Sequence, residues 1–378
     1  MQNEAQAAYV HIPFCSHICY YCDFSKVLLQ GQPVDDYIDA LIDEWQSYDI
    51  HELKTLYIGG GTPSVLLPEQ MEKLLSALTE KLDLSVLEEF TIEANPGDLS
   101  DELIAVLADS LVNRVSLGVQ TFNDALLKKI GRTHTAADAL SAIEKLRAAD
   151  FDNLTMDLIY GLPGQTMTMV EEDVKQFLAL DLPHVALYSL ILENHTVFMN
   201  RERRGLLKLP SDDKNADMYE FIMTTLADSG YEHYEISNFG KPGFESKHNL
   251  TYWDNAEYYG VGAGASGYLD SVRYKNHGPV HHYLAEKNKR ISEEVLTKKE
   301  KMEEEMFLGL RKKSGVSRQV FEEKFSVSAD SLYHDKIVRL TDLQLLAADK
   351  EFIRMTEHGF ELGNEVFQEF LLDENDFD

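Results

Sequence analysis

The 378-residue chain contains three cysteines, and they fall within eight residues as Cys15-Ser-His-Ile-Cys19-Tyr-Tyr-Cys22. Thiolates at C-x3-C-x2-C spacing on one short loop can hold three corners of a cubic iron–sulfur cluster. The fourth iron then stays open to a small chelating molecule with an amine and a carboxylate. An odd number of cysteines cannot all pair within one chain, so the clustering points to a metal or redox site. Two other readings compete. Zinc would recruit His11 or His17 as a fourth ligand, but the second C-x2-C knuckle usual in structural zinc sites is absent. Three ordinary core cysteines would not be expected to gather in a polar, aromatic loop.

Other polar residues stand where short β-type runs end. Thr55–Gly59 leads into Gly59-Gly60-Gly61-Thr62-Pro63, a turn in which backbone can approach a ligand closely. Glu93 lies in EFTIEA, Gln120 in SLGVQTFN, Asp157 in LTMDLIY, and Tyr188-Ser189 near the end of HVALYSL. Glu93 and Asp157 interrupt apolar runs, where an unpaired carboxylate is costly. Arg132, in KIGRTH, could pair with a substrate carboxylate, although an arginine at a helix end is common. For each residue the plainer alternative is a surface or capping role.

These residues need a scaffold. Six β-type runs (Ala8–Phe14, Thr55–Gly59, Glu89–Ala94, Arg114–Val119, Leu154–Tyr160, His184–Leu190) alternate with stretches of helical apolar spacing (34–46, 68–82, 100–111, 136–149, 168–180). Six β–α alternations predict parallel strands with crossover helices, and ligands then gather at the strands' carboxyl ends. A partial TIM-type barrel and an open doubly wound sheet both fit. Residues 201–213 read as a linker or lid, a helix resumes at 214–229, and 231–238 reads as a strand. From about Thr297 charged helices precede short strands around 350–366, with a turn at His358-Gly359. That end predicts a smaller α+β, winged-helix-like domain with a terminal hairpin, followed by a frayed DENDFD tail. The expected divisions are a core over 1–200, a linker and barrel-closing region over 201–296, and a C-terminal domain over 297–378.

Composition sets further bounds. Apolar residues make up 44% and charged residues 26%, as in ordinary globular proteins. The net charge of −30 disfavours nucleic acid and acidic membrane surfaces as general partners. The opening MQNEAQAAYVHIPFC lacks the basic and apolar regions of a signal peptide, and no apolar run spans a bilayer. A cytoplasmic location is expected.

The run Tyr9-Val-His-Ile-Pro-Phe-Cys15, continued by C-x3-C-x2-C, resembles the radical S-adenosylmethionine superfamily, and within it the oxygen-independent coproporphyrinogen III oxidase-like family. The resemblance covers most of the chain and implies a partial (β/α)6 barrel. It also implies a 4Fe–4S cluster on Cys15, Cys19 and Cys22, and S-adenosylmethionine against Tyr9, Tyr21, Gly60, Gly61, Thr62, Glu93, Gln120, Arg132, Asp157, Ser189 and Ser266. Ser266 closes the glycine-rich turn Gly262–Ser266.

Two departures separate this chain from the coproporphyrinogen oxidases. They continue the motif to C-x3-C-x2-C-x-C, where this chain has Phe24, and they carry a longer N-terminal extension, where only eight residues precede Tyr9. His248-Asn249-Leu-Thr-Tyr252-Trp253 instead matches the H-N-x-x-Y-W signature of the HemW haem chaperone subgroup. That implies haem as cofactor, with His248, Asn249, Tyr252 and Trp253 as its residues. An imidazole can ligate haem iron and the aromatic pair can wall the ring. Without the resemblance, a hydrogen-bonded loop and a packed tryptophan explain the same residues. His281-His282 is a further pair that reads as solvated surface.

The leading expectation is a haem chaperone, with no residue assigned to catalysis. It would deliver haem to recipient haem proteins, among them membrane respiratory enzymes, and a homodimer would be compatible with it. The alternative is an oxygen-independent coproporphyrinogen III dehydrogenase, using the same cluster for radical oxidative decarboxylation. A third is a scaffold with a relic cluster loop, which predicts no S-adenosylmethionine binding.

Overall fold

A computed structural model describes residues 5–372. Its main sheet contains six parallel strands that lie side by side in chain order: β1 (Ala7–Ile12), β2 (Thr55–Gly60), β3 (Glu89–Ala94), β4 (Arg114–Gln120), β5 (Leu154–Tyr160) and β6 (His184–Ser189). That order decides between the two candidate sheets. A doubly wound sheet reverses direction partway, placing later strands on both sides of the first. An unbroken order winds one way, as in a (β/α) barrel. Tyr259–Val261 adds a parallel strand to the free edge of β1, and the hairpin 232–240 adds antiparallel strands to β6. The two outermost strands do not pair with each other, so the barrel is open.

The strands alternate strictly. Val10, Ile58, Ile92, Leu117, Met156 and Val185 point outward into the core shared with the crossover helices. Side chains two residues apart share a face of a strand. The other face therefore gathers Tyr9, Tyr57, Glu93, Ser116, Asp157 and His184 in the lumen. The barrel is dry outside and polar inside, which is what a site for a polar cofactor requires. The helices begin where capping residues allow: Ser100 accepts from Leu103 N–H at 3.1 Å, and Thr135 and Asp138 form a capping box.

Three local expectations are corrected. Residues 231–238 form a hairpin, Glu232–Glu235 and Asn238–Gly240, because the Glu235 carboxylate accepts from Ser237 N–H and the Asn238 amide and folds the chain back. The helix expected at 214 starts at Asp212, and Val197–Glu202 forms a helix of its own. In the C-terminal region the hairpin joins Leu346–Ala348 to Phe352–Met355. Asp349 closes it by accepting from Glu351 and Phe352 N–H at 2.7 and 2.8 Å. His358-Gly359 lies instead in a short helix capped by Thr356, and Gly363–Gln368 is also helical, so among the described residues no hairpin follows Met355.

Residues 298–355 run helix, strand, two helices, then two strands, the order of a winged helix, around a core of Met302, Phe321, Tyr333 and Ile353 that Phe370 from the following segment completes. The DENDFD tail lies outside the described residues. Among those described, no helix is long and apolar enough to cross a membrane.

Candidate functional site

The carboxyl ends of the strands surround a cavity of about 380 Å³. Its lining includes Cys15, Cys19, Cys22, Tyr21, Gly60, Gly61, Thr62, Glu93, Gln120, Arg132, Asp157 and Ser189. The cysteine loop leaves β1 and is tied back by Val27 N–H to Pro13 O at 2.8 Å and Leu29 N–H to Cys15 O at 2.9 Å. Helix Val197–Glu202 braces it from outside: Phe198 N–H donates to Tyr20 O at 2.9 Å and the Arg201 guanidinium sits 4.5 Å over the Tyr20 ring. Cys15 is buried and the Thr62 hydroxyl donates to its Sγ at 3.6 Å. Burial pushes its thiol up to about 11, against the Thr62 hydrogen bond. His11, one candidate fourth ligand for zinc, bonds the Tyr9 hydroxyl and Ser25 O through its two ring nitrogens. A cubic cluster spreads its thiolates over separate irons, and three thiols lining one cavity fit that need.

The turn after β2 requires its glycines. Gly60 has φ +116°, and a Cβ there would lie 2.5 Å from the His11 ring. A Cβ on Gly61 would meet the Phe14 carbonyl at 2.7 Å. Gly60 N–H donates to Glu93 Oε2 at 3.0 Å, and the Tyr57 hydroxyl donates to Oε1 at 2.8 Å. Burial raises the Glu93 carboxyl to about 7, opposed by the Tyr57 bond and helped by nearby Asp157. Burial likewise raises Asp157 to about 6, although Ser116 donates to its two oxygens at 3.1 and 3.2 Å.

Arg132 is half-buried in the same wall. It donates to Asn95 Oδ1 and to the Tyr21 hydroxyl. Its Nε is buried without a partner. A cation with an unused buried donor suits a carboxylate-bearing ligand. Gln120 holds a left-handed backbone, φ +69°, at a bulge in β4. That conformation is uncommon for a residue with a side chain and recurs at functional sites.

The remaining expected residues lie elsewhere. Tyr9 sits deeper in the lumen, stacked on Tyr57 with centroids 6.1 Å apart and bonded to His11 Nδ1 at 2.9 Å. Ser266 is exposed on strand Ser266–Leu269 and does not line the cavity. The glycine turn before it buttresses the site, with Gly262 against His11 and Gly264 against Ser25.

The haem-type residues are on helix Lys247–Trp253, at the opposite, amino end of the barrel. The Glu89 carboxylate accepts from Lys247 N–H at 2.9 Å and His248 N–H at 3.1 Å, which fixes the helix start. His248 is 1% exposed. Its Nδ1 bonds Thr55 Oγ1 at 2.9 Å and its Nε2 bonds the Tyr252 hydroxyl at 2.8 Å. In this conformation it has no free nitrogen for iron, and burial lowers its pKa to about 3. The backbone N–H of Asn249 donates to Ser246 Oγ, which caps the helix. Trp253 lies under the Arg311 guanidinium at 5.1 Å with its indole N–H facing Glu235, joining barrel to C-terminal domain. A larger cavity of about 1110 Å³ opens between Asp254–Glu257 and Lys301, Lys312 and Lys324, but none of the cysteines or strand-end residues reaches it.

Asn95, Ser116, Tyr57 and Thr55 belong to this polar lumen and were not singled out from the sequence. The signal was present: each occupies a position of the polar phase of its strand or the residue just past it.

Residues 9–177 match the Radical SAM superfamily and residues 296–362 match the HemN C-terminal domain. The chain is 68% identical, over the whole of both chains, to the heme chaperone HemW of Lactococcus lactis subsp. lactis. It is 47% identical to the heme chaperone HemW of Bacillus subtilis, covering 97% of this chain and 99% of that one. Among solved structures, the coproporphyrinogen III oxidase HemN of Escherichia coli superposes with a TM-score of 0.83 over 97% of this chain and 90% of that one, at 22% identity, a likeness of fold. The strand order, the cysteine loop and the full-length identity agree, and the chain belongs to the HemW family of the radical SAM superfamily.

Proposed function

We propose that this chain is a haem chaperone: it binds haem, carries a 4Fe–4S cluster with S-adenosylmethionine at the carboxyl end of its barrel, and passes haem to haem proteins. The observation that carries this reading is the 68% identity over the full chain to a protein named as a heme chaperone. The cavity supports the cofactor part. Cys15, Cys19 and Cys22 would hold the cluster, which when bound supplies an electron to the sulfonium of S-adenosylmethionine. Gly60, Gly61 and Thr62 offer backbone and hydroxyl groups to its amino end, and Arg132 answers its carboxylate. Glu93, Asp157, Gln120, Ser189 and Tyr21 offer acceptors and donors to the rest. Tyr9 acts from beneath, through the lumen network. The helix Lys247–Trp253, with His248, Asn249, Tyr252 and Trp253, serves as the floor of the barrel.

Recipients of the haem include membrane respiratory enzymes, met transiently from the cytoplasm by a chain that is a monomer or homodimer. The acidic surface, at −30, keeps nucleic acid away.

The test is a haem titration of anaerobically reconstituted protein beside an assay of coproporphyrinogen under reducing conditions. Saturable one-to-one haem binding without decarboxylation is expected. Turnover of coproporphyrinogen would replace the chaperone by the dehydrogenase. Failure of cluster-loaded protein to bind S-adenosylmethionine in calorimetry would favour a scaffold with a relic loop.

A further inference from the structure

Haem iron takes a neutral imidazole as a common axial donor. The chain has thirteen histidines. Among the described residues, His11, His134, His184, His233 and His248 hold internal hydrogen bonds through their rings. His51 and His358 face carboxylates. The rings of His17, His195, His277, His281, His282 and His334 make no hydrogen bond or ion pair among the described residues. Of these six, His17 alone lines the cavity at the barrel mouth, exposed between Cys15 and Cys19.

The rim beside His17 is apolar and open. Phe24, from the same loop, is 64% exposed, and Ile191 and Tyr188, from the end of β6 and beyond, are 68% and 42% exposed. All three line the same cavity. Large apolar side chains from two separate segments converging on one mouth mark a binding surface, not scattered surface residues. Phe24 stands two residues after Cys22, so the cysteine loop itself presents an exposed ring. Lys26, whose ammonium donates to Cys22 O, brings a cation to the lining, which also holds Asp23 and Glu193.

We infer that haem seats against this rim, with His17 as the axial ligand of its iron and Phe24, Tyr188 and Ile191 as the apolar surface under the macrocycle. The inference rests on the haem-binding reading above and names the residues that serve it. It puts haem at the cysteine loop, at the end of the barrel opposite His248.

The test follows the Soret band and electron paramagnetic resonance spectrum as haem is titrated into anaerobically reconstituted full-length protein. Cluster iron and sulfide are determined in the same samples. His17→Ala is expected to weaken binding at least tenfold. His17→Met is expected to keep binding but to show the altered spectrum of a thioether ligand, and it decides the matter should the alanine variant lose its cluster. His248→Ala is expected to keep the wild-type spectrum. A wild-type spectrum and affinity in His17→Met would overturn the inference. Loss of the signal only in the triple variant His277→Ala, His281→Ala, His282→Ala would overturn it in favour of that surface cluster. If wild-type protein bound no haem saturably, the chaperone reading itself would fail, and this is seen before any variant is made.

Discussion

The imidazole of His248 stacks on the ring of Tyr57, with centroids 5.0 Å apart and planes 25° apart, and the Tyr57 hydroxyl bonds Glu93 at 2.8 Å. One contact thus links the floor of the barrel to its cofactor end, over a β2 strand spanning roughly 17 Å. The His-Asn-x-x-Tyr-Trp run is part of the barrel's interior, sealed from below by Glu89 and joined from above to the carboxylate at the mouth.

Removing that ring should be felt as lost stability. His248→Ala leaves Thr55 Oγ1 and the Tyr252 hydroxyl short of a partner and opens a void against Tyr57. Two stranded polar groups and a cavity together cost about 3 kcal/mol. A fall in thermal midpoint with cluster content retained is expected. An unchanged midpoint would mean that the stack is dispensable.

The lumen carboxylates set a pH dependence. Glu93 is raised to about 7 and Asp157 to about 6, both first by burial. Between the ordinary carboxylate range and those values the folded chain binds more protons than the unfolded chain. Their contribution to stability is therefore full below about pH 4 and is lost as pH rises through 6 to 7. Denaturant unfolding of cluster-free protein should show Glu93→Gln gaining stability relative to wild type as pH rises from about 5 to about 7.5, while the buried histidines, lowered by burial, act in the opposite direction in both proteins. An equal slope in that variant would assign the dependence elsewhere.

Gly60→Ala combines a left-handed backbone with a Cβ 2.5 Å from the His11 ring. The backbone alone costs about 1–3 kcal/mol. The displaced turn should also weaken S-adenosylmethionine binding, which isothermal calorimetry on cluster-loaded protein measures directly. Native affinity with a native midpoint would show that the turn yields freely.

Arg132→Lys keeps the positive charge but removes the planar fork that reaches Asn95 and Tyr21. A charge-assisted hydrogen bond contributes about 1.5–3 kcal/mol, so S-adenosylmethionine affinity should drop by roughly tenfold to a hundredfold. An affinity within twofold of wild type would remove Arg132 from the binding site.

Features whose partners are near in the chain are legible in the residues alone. The cysteine spacing puts three thiols on one loop whatever surrounds it. Alternation in Arg114–Gln120 and Glu89–Ala94 separates a polar lumen from an apolar outer face, because successive strand residues point to opposite sides. The six β–α units followed from the same periodicity. Features that depend on distant pairing emerge with the folded barrel. Unbroken strand order made the sheet a barrel. Ser266 left the site because its strand pairs with Val272–Asn276 and turns outward. His248 meets Thr55 across 193 residues of chain, a contact no local pattern encodes, since the end of the barrel on which a helix settles depends on which buried carboxylate its unpaired N–H groups find.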